Sequence, residues 1–251
     1  MHEAGASKIH ITLGAETLGH FFFFFFTNDL LMSLLGTLLL LTLAFMLQKR
    51  TLVPGRLQML FELAVGGIYE YVETKKKKKK VSKTYFPLIM TLFLVIFIAN
   101  LIHFIPGVES ILYHTKEGET VPLLRAATTD LNLTLALALI SFVAIEIAGF
   151  RVLGFSYLKK FVNLSSFLGF AVGVIDLFSE LARIVSFSFR LFGNIFAGGV
   201  VILIIVSFIP VIAPVPMMGF EVAVGLIQAA IFSLLTLFFI KGAITAHDEG
   251  H

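Results

Sequence analysis

Residues 164–209 form one apolar stretch more than twice as long as the roughly 20 residues that cross a bilayer as a helix. Further stretches at 29–48, 86–105, 131–151 and 217–241 are each long enough to cross once. In hydrocarbon every backbone N–H and C=O has to be satisfied inside the protein, so segments of this length fold as helices. The chain is therefore read as an all-α integral membrane protein with about five transmembrane helices and one amphipathic surface helix. Its 251 residues are 58% hydrophobic and 14% charged, which is not the composition of a soluble domain. Residues 1–251 are read as a single membrane domain.

The connecting segments carry the polarity. Residues 1–28 are a polar N-terminal segment without the pattern of a signal peptide, and the spacing of His2 and His10 makes no metal site. Six consecutive Phe at 21–26 read as a membrane-interface anchor, and Asn28-Asp29 as the N-cap of the first helix. Residues 54–80 combine an amphipathic surface helix, with Arg56, Gln58, Glu62, Glu70 and Glu73 among apolar residues, and a basic loop of six Lys at 75–80. A polybasic run beside a membrane favours anionic lipid, although a solvated loop is the simpler reading. Residues 106–130 are a polar loop, Pro210, Pro214 and Pro216 mark a turn, and 242–251 are a polar tail. The net charge of +3 suggests no nucleic acid, because the basic residues lie in loops. One side collects fourteen Lys and Arg against three on the other, or eight against three without the 75–80 run. By the positive-inside rule the C-terminus is cytoplasmic and, with five spans, the N-terminus is outside. There is no Cys, which excludes disulfides and thiolate sites.

Charges inside the long apolar stretch are the first functional signal, since a charged side chain at membrane depth costs at least about 2.5 kcal/mol. Asp176, Glu180, Arg183, Phe187, Arg190 and Asn194 fall on a stripe roughly 80° wide at about 100° per residue. Asp176, Glu180 and Arg183 have a structural reading, because acid and base at helical-neighbour spacing neutralise each other. Arg190 has none on its own helix. Its neighbours a turn away are Ser186, Phe187, Gly193 and Asn194, so any carboxylate partner comes from elsewhere. A guanidinium stays charged at accessible pH, which suits it to attract a carboxylate that comes and goes.

The last apolar segment repeats the pattern. Glu221, Gly225 and Gln228 share a face, with Glu221 and Gln228 two turns, about 10 Å, apart. Desolvation suits a glutamate there to exchange protons near neutral pH. Gln228 reads either as a neutral hydrogen-bonding group near Arg190 or as a packing amide. Glu146, near one end of its span, reads as snorkelling or as an ion contact. The small residues Gly193, Ala197, Gly198 and Gly199 let another helix approach closely.

Arg190-Leu191-Phe192-Gly193-Asn194, followed by Ala197-Gly198 and by Glu221 and Gln228 on the next segment, closely resembles subunit a of the F-type ATP synthase. The resemblance runs from Tyr85 to Ile240. It takes in Phe86-Pro87-Leu88 opening one helix, Asn100 and Pro106-Gly107 closing it, and Thr129-Asp130-Leu131-Asn132 opening the next. The first eighty residues match in pattern alone.

The resemblance implies an ion-translocating stator subunit, most simply for protons, in a bacterial inner membrane or a mitochondrial one. Its partners would be the ring of c subunits, the peripheral-stalk b subunits, the rest of the complex and membrane lipid. The two long C-terminal helices would face the ring, with Gly193, Ala197, Gly198 and Gly199 packing on it. Arg190, with Glu221, Gln228 and Asn194, would carry ion translocation by keeping two half-channels apart. Asp176, Glu180, Arg183, Asp130, Asn132 and Glu146 would line the half-channels. No catalytic residue, cofactor or metal is implied, and ATP chemistry would belong to the attached head. One departure concerns the half-channel route: where many bacterial relatives carry a carboxylate nine residues after the arginine, this chain has Gly199 and offers Glu221 instead. Two other classes are weaker. A secondary transporter calls for paired internal repeats, a membrane haem protein for paired axial ligands, and neither is found; a structural membrane scaffold would leave Arg190 without a reason.

Overall fold

The computed structural model describes residues 17–21, 24–47, 55–73, 79–103, 105, 112–114, 120–122, 124–160, 167–209 and 212–245. His2, His10, Lys75, Pro106-Gly107, Pro210 and residues 246–251 of the polar tail lie outside these residues. Six helices dominate: α1 (Asn28–Leu47), α2 (Arg56–Glu73), α3 (Lys79–His103), α4 (Leu131–Leu153), α5 (Phe167–Phe208) and α6 (Pro214–Thr245). Two small antiparallel hairpins accompany them. β1 (Thr17–Phe21) pairs with β2 (Phe24–Thr27) in the N-terminal segment, and β3 (Leu112–His114) with β4 (Thr120–Pro122) in the loop before α4. Short 3-10 turns at Ala127–Thr129 and Gly154–Lys160 bracket α4. Five helices are long and apolar enough to cross a membrane, at Asn28–Met46, Thr84–Ile102, Leu131–Tyr157, Leu168–Phe208 and Pro214–Ile244.

Local chemistry moves several boundaries from those the sequence suggests. Thr27, not Asn28 or Asp29, caps α1: its Oγ1 accepts from Leu30 N at 3.3 Å, while Asn28 and Asp29 are buried in the first turn. α3 starts at Lys79, seven residues ahead of the apolar run, because lysine favours helix and nothing before Pro87 breaks it. Pro87 thus lies inside α3 and removes one backbone donor, which a membrane helix tolerates. Pro214 and Pro216 open α6 instead of making a turn, since the missing N–H of a first-turn proline has no helical partner anyway. The central stretch is one unbroken helix of 42 residues with no proline inside it. At 1.5 Å per residue it is about 63 Å long, twice the roughly 30 Å hydrocarbon core, so a straight α5 within the bilayer is steeply inclined.

α6 is the axis of the bundle. It packs most extensively on α3, then on α4 and α5, while α1 rests on α3 and α2 lies across the start of α3. Tyr69 of α2 meets Phe86 edge-on at 5.2 Å, with Ile68 buried beside it. Ile89, Ile96, Ile145, Leu191, Phe232 and Ile240 are fully enclosed, whereas Leu34, Leu38, Phe45, Phe178 and Phe238 stay exposed on outward faces. Such apolar outer faces suit a protein bathed in lipid.

α4 ends at Gly154, whose φ of 57° is one that L side chains resist. That turn folds the following 3-10 segment back and lays the Tyr157 ring on Gly149, where an added Cβ would sit 2.6 Å from Cε2. Gly149→Ala is therefore expected to destabilise this corner by roughly 1–3 kcal/mol through overpacking; thermal unfolding of the detergent-solubilised protein reads it as a lower Tm.

Candidate functional site

The polar stripe of α5 divides once the helix is packed. Glu180 (3% exposed) and Phe187 turn into the bundle, Asp176, Arg183 and Asn194 lie half-buried at its edge, and Arg190 is exposed. The buried seam of α5 runs along Glu180, Phe187, Ser188, Leu191 and Ile195, leaving Arg190 on the outer margin. Its Nη2 donates to Ser186 Oγ one turn back at 3.3 Å, and its guanidinium lies 5.7 Å from the Phe187 ring. Among the described residues no carboxylate pairs with it.

On the N-terminal side of Arg190 a mixed polar cluster is assembled from three elements. The Arg183 guanidinium donates to Glu180 in a short ion pair and stacks over Phe239 of α6, 3.8 Å from the ring centroid. Tyr157, buried in the turn after α4, donates its hydroxyl to Glu146 Oε1 at 3.2 Å. Glu180 and Arg183 both lie within electrostatic reach of that hydroxyl, so Glu146 and Glu180, from different helices, share one neighbourhood.

On the C-terminal side of Arg190 stands a buried carboxylate of α6, Glu221. α5 and α6 run antiparallel, with Phe187 5.0 Å from Phe232 and Gly198 beside Glu221. Glu221 is 8% exposed, and its side chain fills the space that a Cβ on Gly198 would need, 2.7 Å from Cδ. Gly225, one turn on, lets α3 approach: Asn100 Cβ would lie 3.2 Å from an added Cβ, and Asn100 Nδ2 donates to Gly225 O at 3.5 Å. Gln228 is buried on the same face with Nε2 unpartnered, and no hydrogen bond joins it to Arg190. By helical rise Glu180 is about 15 Å before Arg190 and Gly198 about 12 Å after it. Two buried carboxylates therefore flank the exposed cation from opposite directions.

Asp130 and Asn132 close the N-terminal end of α4. Asp130 is its N-cap, accepting from Asn132 N at 3.0 Å and from Asn132 Nδ2 at 3.1 Å. One turn inward Thr134 Oγ1 and Ser188 Oγ lie 3.2 Å apart, a buried polar link between α4 and α5. Of the small residues, Gly198 is taken up by Glu221 within the chain, Gly193 and Gly199 face open space, and Ala197 is exposed.

The family model for the ATP synthase A chain matches residues 30–241, which include every residue of this arrangement. The chain belongs to the ATP synthase A chain family. ATP synthase subunit a of Aliarcobacter butzleri is 38% identical over 205 residues, covering 81% of this chain and 82% of the relative. That of Campylobacter jejuni subsp. jejuni is 35% identical over 201 residues, 80% of this chain and 81% of its own length. That of Mycobacterium tuberculosis is 35% identical over 235 residues, 89% of each. The matches agree with an integral membrane protein whose long apolar helices carry the site.

Within this arrangement, sequence reasoning missed Tyr157, Ser188, Thr134 and Phe239. Ser188 and Thr134 carried a faint signal, as hydroxyls spaced among apolar residues on spans. Tyr157 carried none, because it lies between the spans at 131–151 and 164–209 and reaches Glu146 only through the Gly154 turn. Gly198 and Gly199 offer a neighbouring pair of tests. Gly199→Ala meets nothing and should stabilise α5 by up to about 1 kcal/mol through helix propensity. Gly198→Ala should lose that gain to overlap with Glu221, and adding Glu221→Ala should restore it; Tm values of the four proteins close the cycle.

Proposed function

We propose that this chain is the ion-translocating stator subunit of an F-type ATP synthase, passing protons between two half-channels by way of a ring of c subunits. Three carboxylates of its two long helices are half-buried or buried, and one permanent cation faces outward, and that exposed Arg190 is the observation that carries the reading. Relatives named ATP synthase subunit a at 35–38% identity support it. The peripheral-stalk b subunits would hold the chain still while the ring turns, and the catalytic head would make ATP.

The mechanism follows from charge and position. A carboxylate on the ring that draws level with Arg190 is held ionised, because Coulomb attraction strengthens at low dielectric. Arg190 cannot hand over a proton, so no ion passes straight across it. Beyond it in one direction stands Glu221, in the other Asp176 and Glu180, and these would line the two half-channels that lead to a ring carboxylate that has left Arg190. Asn194 and Gln228 flank the crossing as neutral hydrogen-bonding groups. The open surface at Gly193, Ala197 and Gly199 lets the ring come close. Eight basic residues against three set the Glu180 side toward the cytoplasm of a bacterial cell, with the N-terminus outside.

Vesicles holding the assembled complex test this with Arg190→Ala beside wild type. Ion-driven ATP synthesis and ATP-driven pumping are expected to fall to background at unchanged assembly; coupled transport that survives would make Arg190 a structural ion. Glu221→Gln keeps shape and loses the exchangeable proton, so the rate of synthesis should drop several-fold while ATP hydrolysis by the head persists.

A further inference from the structure

The two polar sides of the bundle come close to meeting inside the protein, away from Arg190. From one end the groups are Asp130, then Thr134 with Ser188; from the other they are Glu146, Tyr157, Glu180 and Arg183. Ser141 lies between them on the same face of α4, fully buried, and its hydroxyl has no partner. A single water in this layer would therefore find hydrogen-bonding groups on both sides, and a short chain of waters can pass protons.

The layer is dry. Phe187 (3% exposed) packs at a tilt against Phe232, ring centroids 5.0 Å apart, and against Phe239 at 5.9 Å, and Phe239 in turn covers the Arg183 guanidinium. Between α4 and α5 the gap bounded by Ala138, Phe142, Ile145, Ile184 and Phe187, with Arg183 at its polar edge, is too tight for a water molecule. Phe187 is the piece common to both contacts, the tilted aromatic packing against α6 and the seal against α4.

We propose that Phe187 is the insulating residue of the bundle, a plug that keeps protons from leaking between the two half-channels through the protein interior. The inference rests on the half-channel reading above and adds a second barrier to it. Arg190 blocks the surface that faces the ring, and Phe187 blocks the core behind it. Phe187 is a positioning residue in this role, because it touches no ion and acts by excluding water.

The test uses the whole complex in vesicles under an imposed pH gradient, first without ADP, when the ring cannot turn, and then with ADP and phosphate. Wild type should be tight without ADP and make ATP with it. Phe187→Ala should leak protons several-fold faster without ADP and make less ATP, while Phe187→Leu, which keeps apolar bulk, should stay near wild type. Phe187→Val and Phe232→Ala open the same layer by smaller or different cuts and carry the prediction if Phe187→Ala does not assemble. A wild type that takes up no protons on ADP addition would sink the half-channel reading. A coupled wild type together with tight alanine and valine variants at Phe187 and a tight Phe232→Ala would sink the plug alone.

Discussion

Placing a charge where water is scarce costs several kcal/mol unless something nearby compensates it, and the arrangement of this bundle follows from how each charge is handled. Glu180 is met by Arg183 one turn on, and Arg183 is covered by the face of Phe239. Glu146 accepts from the Tyr157 hydroxyl, and Asp130 is absorbed into a helix cap. Arg190 is handled differently: it is left on the outer margin of α5 with one serine hydroxyl as its contact. A cation so placed is free to meet a carboxylate brought by another protein, and the other charges are arranged so that none of them neutralises it first.

Register between α5 and α6 converts that arrangement into two sides. Phe187 against Phe232 and Gly198 against Glu221 fix the antiparallel pair, and the pair fixes Glu180 and Glu221 on opposite sides of Arg190. Residues of very different size do this together. Large aromatic rings close the middle of the bundle, while glycines open the places where a polar side chain or another helix has to fit. Gly198 makes room for Glu221, Gly225 for Asn100, and Gly149 for Tyr157. The departure at Gly199 also gains a physical meaning, because a carboxylate reaching across from α6 already occupies the space beside the preceding residue on α5.

The fold was largely legible because a bilayer leaves so few choices. Apolar length alone located the five long helices, and Arg190 declared itself by lacking an acid at helical spacing on its own helix. The boundaries were less legible where local chemistry competed with hydropathy: the lysines that start α3, the first-turn prolines of α6, and the Thr27 cap that displaced Asn28 and Asp29. The candidate site was legible as a set of residues on α5 and α6 and not as a geometry. A helical wheel put Glu180, Arg183, Phe187 and Arg190 on one stripe, but it could not say where the packed seam would cut that stripe.

By itself, then, the sequence determined a predominantly helical membrane chain, the apolar length of its central stretch, and the one guanidinium within it without an acid at helical spacing, because periodicity and hydrophobic length act within a segment. Only the tertiary structure decided that Glu146 and Glu180 share a neighbourhood through Tyr157, that Glu221 rests on Gly198, and that Phe187 seals the core while Arg190 stays outside it. Those are contacts between segments. Their partners depend on which face of each helix the others bury, and that is set by side-chain packing across the whole bundle rather than by any one stretch of chain.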